Sequence, residues 1–348
     1  MNSELILALE ALEKEKNIKK DVMFDALEAA LVTAYKKNFG SGYNCFADVN
    51  RETGDMRVYC TKTVVEEVEN SAVEMSLEEA QAIDKRYEIG DSVDLTADPA
   101  KFGRIAAQTA KQIVVQKIRE AERGNMYDEY SDKENDVMPG KVEKIDRRGI
   151  MIDLGSAEAV LAPSEQIPGE EYTPGKRLKV YVFEVKKTTK SVNLMVSRTH
   201  PGLVKKLFEQ GVPEIADGTV IIKSIAREAG SRSKLAVYSD NPNIDPVGAC
   251  VGQKGIRVAE IVEELNDEKI DIIQYSEDPA EYISAALNPA KVISVEVDEE
   301  SKSAVVTVPE FQLSLAIGKE GQNARLAARL TGWKIDIKSD ASAGKEAL

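Results

Sequence analysis

Apolar and polar positions change their period several times along the chain, and each change marks a different element. From Asp21 to Phe39, the residues Phe24, Leu27, Leu31, Ala34 and Tyr35 recur at three- and four-residue spacing. That is the stripe of an amphipathic helix, and Gly40 is its natural end. Two β-prone stretches, Cys45 to Val49 and Met56 to Cys60, flank Glu52-Thr53-Gly54 and predict a hairpin. Ser76 stands where a cap is expected for a short helix over Leu77 to Asp84. A long helix starts near Asp98-Pro99 and carries Phe102, Ile105, Ala106, Thr109, Ile113, Val114, Val115 and Ile118 toward Arg123. Residues 124–136 are polar and read as a junction, so the first 123 residues are α+β.

The pattern then turns to short strands. Met138–Ile145, Gly149–Gly155, Ala159–Leu161, Leu178–Val185 and Val192–Arg198 are five apolar or alternating runs with turn residues between them. Beyond them the pattern repeats. A helix opened by proline (Pro201 to Gln210, then Pro279 to Leu287) precedes two β-rich runs. These are Thr219–Ile222 and Lys234–Tyr238 in one unit, Val292–Val297 and Ala304–Val308 in the other. Val251-Gly252-Gln253-Lys254-Gly255 recurs 66 residues later as Ile317-Gly318-Lys319-Glu320-Gly321. An apolar-periodic helix follows each loop, with Ile256, Val258, Ala259, Ile261, Val262 and Leu265 in the first, and Ala324, Leu326, Ala327 and Leu330 in the second. Each unit closes on nearly the same strand, Lys269–Ile272 and Lys334–Ile337. Self-similarity in this order, α-β-β-α-loop-α-β, points to two duplicated domains.

Composition adds bounds. The chain has 348 residues, 43% hydrophobic and 30% charged, which are globular values for two to four domains. No apolar run reaches the roughly 18 residues of a membrane span or forms a signal-peptide h-region, so neither a span nor a leader is expected. Cys45, Cys60 and Cys250 lack C-x-x-C spacing and read as reduced thiols of a cytoplasmic protein. Most catalytic classes lack their parts. The single histidine, His200, sits in Arg198-Thr199-His200-Pro201 at an apparent domain junction and reads as structural. No zinc cluster, phosphate loop, dinucleotide fingerprint or G-x-S-x-G elbow occurs. The expectation is a protein that is not an enzyme and carries no metal or cofactor.

A net charge of −14 argues against a broad cationic field. Residues 1–130 hold 17 basic and 25 acidic side chains, net −8, whereas residues 131–200 are net +1. Any RNA contact is therefore local. A Gly-x-x-Gly turn between two helices suits such a contact: it removes side chains where an RNA backbone comes close, and it aims amides and a helix N-terminus at phosphate. Lys254 and Lys319 lie in the loops, and Arg257 and Arg325 one turn on. Glu320 is an acid in the second loop, which predicts the weaker of the two contacts.

The repeat resembles the KH domain in its prokaryotic type II form, whose loop clamps about four nucleotides. The five-strand segment looks like the S1 variety of OB-fold, although the usual stacking aromatics are missing around Arg147-Arg148-Gly149-Ile150, so that contact through Lys144, Arg147 and Arg148 is expected. A barrel serving only as a spacer is the alternative for this segment. Phosphorolytic RNA-degrading enzymes also carry S1 and KH modules, but behind two large catalytic domains for which 123 residues are too few. A ribosome-associated role is a further alternative.

The order of these parts, with Ala100-Lys101-Phe102-Gly103-Arg104, Glu165 to Glu170, Ser197 to Pro201, Asp245 to Gly252 and Leu315 to Asn323, resembles the NusA family of bacterial transcription factors over essentially the whole chain. The resemblance implies a multidomain α+β protein. Its parts are an N-terminal polymerase-binding domain with a long connecting helix (1–130), an S1-type OB-fold barrel (137–200) and two type II KH domains (201–276 and 277–348). It implies a transcription elongation factor that acts in pausing, intrinsic termination and antitermination. The partners it implies are RNA polymerase, single-stranded nascent RNA and other Nus and antitermination factors, with the chain a monomer in solution, away from membranes. RNA-binding positions would be Gly252, Gln253, Lys254, Gly255, Arg257, Gly318, Lys319, Glu320, Gly321, Gln322, Asn323, Arg325, Lys144, Arg147 and Arg148. Lys36, Lys37, Arg104 and Lys111 would face polymerase or the RNA hairpin. With only the short tail from Ser339 to Gly344 after the repeat, the expectation is a short form without the acidic repeats that some family members append.

Overall fold

A computed structural model describes residues 3–16, 19–96, 99–189 and 191–340. Asp98, at the expected start of the long helix, and residues 341–344 of the tail lie outside the described residues. The chain divides into two compact units, Met1–Met126 and Tyr127–Leu348.

In the first unit, α1 (Ser3–Lys16) and α2 (Lys20–Phe39) precede β1 (Cys45–Val49), β2 (Met56–Val65), β3 (Glu74–Ser76), α3 (Leu77–Ile83), β4 (Ser92–Thr96) and α4 (Pro99–Ser131). The stripe on α2 does what its spacing requires. Phe24, Leu27 and Leu31 are buried with Leu9, Val49, Val58 and Ala110, while Ala34 and Tyr35 pack at the edge. Ser76 and Glu79 form the reciprocal capping box that starts α3. β2 is the centre of the sheet, antiparallel to β1 and β4 and parallel to β3.

Two expectations are corrected here. Cys45 and Cys60 stand directly opposite each other across β1 and β2, Cα atoms 4.1 Å apart, and form a disulfide. The hairpin register puts both on the buried face, so proximity in space decides where sequence spacing could not. Only Cys250 is free, and burial pushes its thiol up to about 12. The polar junction is also helical as far as Ser131, because its last turn has something to bury. Tyr130 is buried, with its hydroxyl donating to the Leu154 carbonyl at 3.3 Å and 2.9 Å from Ser156 Oγ.

The second unit begins with β5 (Asp136–Asp146), β6 (Gly149–Asp153), β7 (Glu158–Leu161), β8 (Arg177–Lys187) and β9 (Val192–Ser197). They close as a barrel in the order β5-β6-β7-β9-β8. The repeat follows. Its first copy is α5 (Pro201–Gly211), α6 (Pro213–Ala216), β10 (Ile221–Glu228), β11 (Arg232–Tyr238), α7 (Pro246–Val251), α8 (Ile256–Glu264) and β12 (Lys269–Gln274). Its second copy is α9 (Pro279–Ala286), β13 (Ser294–Asp298), β14 (Ser303–Pro309), α10 (Leu313–Ile317), α11 (Gln322–Thr331) and β15 (Lys334–Asp340). In each copy the first two strands are antiparallel and the third joins the second in parallel, which is the type II KH topology.

These parts share cores. Val137, Ile167 and Tyr181 of the barrel are buried with Leu203, Val204 and Phe208 of α5. Arg198 is 1% exposed at this junction. It donates to both Glu170 oxygens at 2.7 and 2.9 Å, to Glu264 Oε1 at 2.9 Å, and to the carbonyls of Lys179 and Glu264. Ala226, Ala236 and Ile273, on the sheet of the first copy, are buried with Tyr282, Ile283, Leu326 and Leu330 on α9 and α11 of the second. Lys234 lies fully buried at that seam, donating to Asp271 at 2.9 Å and to the Asn288 carbonyl at 2.8 Å. Burial lowers its pKa against the opposing pull of Asp271.

Candidate nucleic-acid interface

Each Gly-x-x-Gly loop is built by ending one helix and starting the next within four residues. The Asp245 side chain caps α7 at Val247 N–H (3.0 Å) with Pro246 in the first turn. The helix stops at Gly252, whose φ/ψ of 74°/175° no helix can continue. Lys254 follows at 51°/24° and Gly255 at 78°/14°, and α8 begins with no side-chain cap. In the second copy Gly318 is at 76°/172°, Glu320 at 54°/26° and Gly321 at 77°/12°, and α11 also begins uncapped. The two loops trace one backbone path. Lys254 therefore corresponds to Glu320, and Gln253 to Lys319. All four side chains are exposed.

The glycines of a pair serve different needs. A Cβ on Gly252 would stand 2.7 Å from Arg257 Cγ, and one on Gly318 would stand 2.7 Å from the Asn323 backbone nitrogen. The first glycine thus makes room for the helix that follows. A Cβ on Gly255 would meet only Val258, at 4.0 Å, and one on Gly321 nothing within 4 Å. The second glycine supplies a left-handed φ and faces open space, next to a helix start whose amides no side chain occupies. That combination suits an oxyanion.

Arg257 and Asn323 occupy the same place in the repeat. Arg257 donates to the Ala249 carbonyl at 2.6 Å and to Glu214 at 3.0 Å. Asn323 is buried and donates to the carbonyls of Ala316 and Leu287, both at 3.0 Å. Both reach back to the last turn of the helix before the loop and satisfy carbonyls that its end leaves open. The counterpart of Arg325 is Ala259. Gln322 and Arg325 are both engaged by Glu228 of the first copy.

Apolar side chains beside the loops escaped the sequence reading. Ile256 opens the apolar-periodic stretch of α8, yet it is 59% exposed. Ile261 and Leu265 are the buried residues of that stripe, and Ile256 lies about 140° round the helix from Ile261 at 100° per residue. Counting from the buried pair, rather than from the first apolar residue, would have found it. Phe311, Leu315 and Ile317 are exposed ahead of the second loop. An open groove of about 490 Å³ beside the first loop is lined by Gly248, Ala249, Gly252, Gln253 and Ile256, with the Glu214–Arg257 pair. Backbone amides at one side and apolar surface at the other match a phosphate and a base.

Lys144, Arg147 and Arg148 are exposed on the β5–β6 hairpin, Arg148 3.9 Å from Asp146. Where stacking aromatics are missing, Met151, Val160 and Met195 stand in register across β6, β7 and β9, and Val160 and Met195 are exposed. In the first unit Lys37 is exposed and Lys36 half-buried in the last turn of α2, and Arg104 and Lys111 are exposed on α4. Among the described residues no cluster of His, Cys, Asp or Glu could hold a metal, and no helix is long and apolar enough to cross a membrane.

The chain matches the NusA N-terminal domain over residues 4–124, the S1 RNA binding domain over 131–197, the NusA-like first KH domain over 198–275 and the NusA-like second KH domain over 279–345. A relative from Halalkalibacterium halodurans, named transcription termination/antitermination protein NusA, is 58% identical over 99% of this chain and 90% of its own. One of the same name from Bacillus subtilis is 57% identical over 99% of this chain and 92% of its own. The solution structure of the N-terminal domain of NusA from B. subtilis is similar at 54% identity, covering 35% of this chain and 99% of that one, with a TM-score of 0.32.

Proposed function

This chain belongs to the NusA family, and from that premise we propose that it is a transcription elongation factor. It binds RNA polymerase through residues 1–130 and single-stranded nascent RNA through the barrel and both Gly-x-x-Gly loops. By holding RNA beside the polymerase it modulates pausing, intrinsic termination and antitermination. It works in the cytoplasm, a location that rests on the site of bacterial transcription and not on its cysteines, as a monomer, without a cofactor, alongside other antitermination factors.

The observation that carries this reading is the pair of loops. Two separate sequences, one with lysine and one with glutamate at the same position, are folded onto the same backbone path. Each ends in a glycine facing open space at an uncapped helix start. RNA contact is assigned to Gly252, Gln253, Lys254, Gly255, Gly318, Lys319, Glu320 and Gly321, with Lys144, Arg147 and Arg148 on the barrel. Arg257 and Asn323 shape the loops from behind, and Gln322 and Arg325 act at the seam between the copies. The test is capture of partners on the immobilised full chain from an extract of the producing cell. RNA polymerase as the main protein retained, and retained without RNA, is the expected result. Recovery of ribosomal subunits or of an exoribonuclease assembly in its place would overturn the reading.

A further inference from the structure

The helix that follows the second loop, α11, touches the first KH domain through a carboxylate. β10 ends at Glu228, and the turn to β11 brings Glu228 and Ser231 to the start of α11. Gln322 Nε2 donates to Glu228 Oε2 at 2.9 Å and to Ser231 Oγ at 2.7 Å. Arg325 grips Glu228 side-on, Nε to Oε1 at 2.6 Å and Nη2 to Oε2 at 3.2 Å. Its remaining nitrogen, Nη1, donates to the backbone carbonyl of Glu320 at 3.2 Å. Arg329 Nη1 stands 3.7 Å from Glu228 as well. One carboxylate of the first copy is thus linked through one guanidinium to the middle of the second loop. The arrangement is held by more than contact: Arg325 first, then Gln322, keeps the Glu228 carboxyl below its usual range despite partial burial. The first loop has no such brace, because alanine (Ala259) stands at the position equivalent to Arg325.

The geometry points to Glu228 as a positioning residue for the second RNA loop: through Arg325 it sets the backbone at Glu320, so the second loop binds RNA fully only when braced by the first KH domain. Resting on the RNA reading of the loops, it adds an order of dependence between them. It also gives Glu320 a place, since an acidic side chain at a phosphate loop is offset by an arginine that fixes the peptide carrying it.

The test uses the full chain with Glu228→Ala, Glu228→Asp and Arg325→Gln. Amide hydrogen exchange is followed at residues 318–322 and 252–256, and binding by anisotropy on a labelled mixed-sequence single-stranded RNA of about 16 nucleotides, enough for two four-nucleotide clamps. With Glu228→Ala and with Arg325→Gln, exchange at the second loop should quicken about fivefold, the first loop staying unchanged, as expected for loss of one part-exposed bidentate pair. RNA affinity should fall by a similar factor, Glu228→Asp should restore part of both, and Glu228→Ala should add nothing on top of Gly321→Asp. Unchanged exchange at the second loop would overturn the proposal, and so would equal quickening at both loops. Quickened exchange with full RNA affinity would reduce Glu228 to a strut and overturn it too. The exchange arm needs no RNA, so it decides the brace even if Gly255→Asp and Gly321→Asp leave RNA binding intact, which would sink the RNA reading by itself.

Discussion

Gly252 and Gly255 look interchangeable as letters three positions apart, but their surroundings assign them different work, and substitution should separate the two. Gly252→Ala drives a methyl into Arg257 at a left-handed φ and should cost about 1–3 kcal/mol of stability. Gly255→Asp enters open space, where aspartate tolerates the backbone at about 1 kcal/mol, while its carboxylate meets the phosphate site. Urea unfolding of both variants beside RNA titration checks this; a larger stability loss for Gly255→Asp would contradict it. His200 carries a pH dependence. Its Nδ1 accepts from Gly202 N–H at 3.0 Å as the cap of α5, and its ring stacks on Tyr181 at 4.7 Å, so the fold needs the neutral ring. Burial lowers its pKa from 6.5, with Glu165 pulling the other way. The unfolded chain then takes up the proton first, so stability is complete above 6.5 and falls as pH drops below it. His200→Asn keeps a capping side chain and removes the titration. The difference between the two unfolding midpoints should be flat above neutrality and change below it, and a flat difference throughout would refute the assignment.

At the scale of elements, periodicity carried most of the fold. The stripe from Phe24 to Leu31, the five barrel strands and the element order of both copies stand where alternation and three-to-four spacing put them, because each buries one face. The strand expected over Thr219–Ile222 is displaced: β10 runs Ile221–Glu228, continuing past the apolar run because it pairs with β11 as far as Glu228 opposite Arg232. What stayed hidden depends on distant partners. Tyr130 extends α4 past a polar stretch because the Leu154 carbonyl and Ser156 receive it. Cys45 meets Cys60 only through the hairpin register. Of the candidate site, the loops and their glycines were legible, since backbone constraint is written locally. The roles of Arg257, Asn323, Gln322 and Arg325 were not, because their carbonyl and carboxylate partners come from other elements. Arg198 is the strongest such case, with partners 28 and 66 residues away. Arg198→Ala would leave Glu170 buried without its guanidinium and should cost about 3–5 kcal/mol in urea unfolding. A loss below about 1 kcal/mol would mean that the barrel–KH junction is held by its apolar core alone.

For the whole molecule, the −14 charge and the few exposed cations at the loops set the kind of RNA contact available. With about 3–5 phosphates neutralised, log K against log[salt] for single-stranded RNA should have a slope of about −2 to −3.5, and a slope beyond about −6 would reveal a cationic groove not recognised in the structure. Division of labour gives a second expectation. Charge reversal at Lys36 and Lys37 should shorten hairpin pauses in a transcription assay while RNA affinity stays unchanged, because those lysines and the loops belong to different units. An equal loss of RNA affinity would contradict that separation. Whether both Gly-x-x-Gly loops hold RNA is decided by anisotropy with labelled single-stranded RNA on the full chain carrying Gly255→Asp and Gly321→Asp. Affinity should fall at least about tenfold with cooperative unfolding retained; RNA affinity equal to that of the unsubstituted chain, on a protein still folded, would show that the loops do not hold RNA.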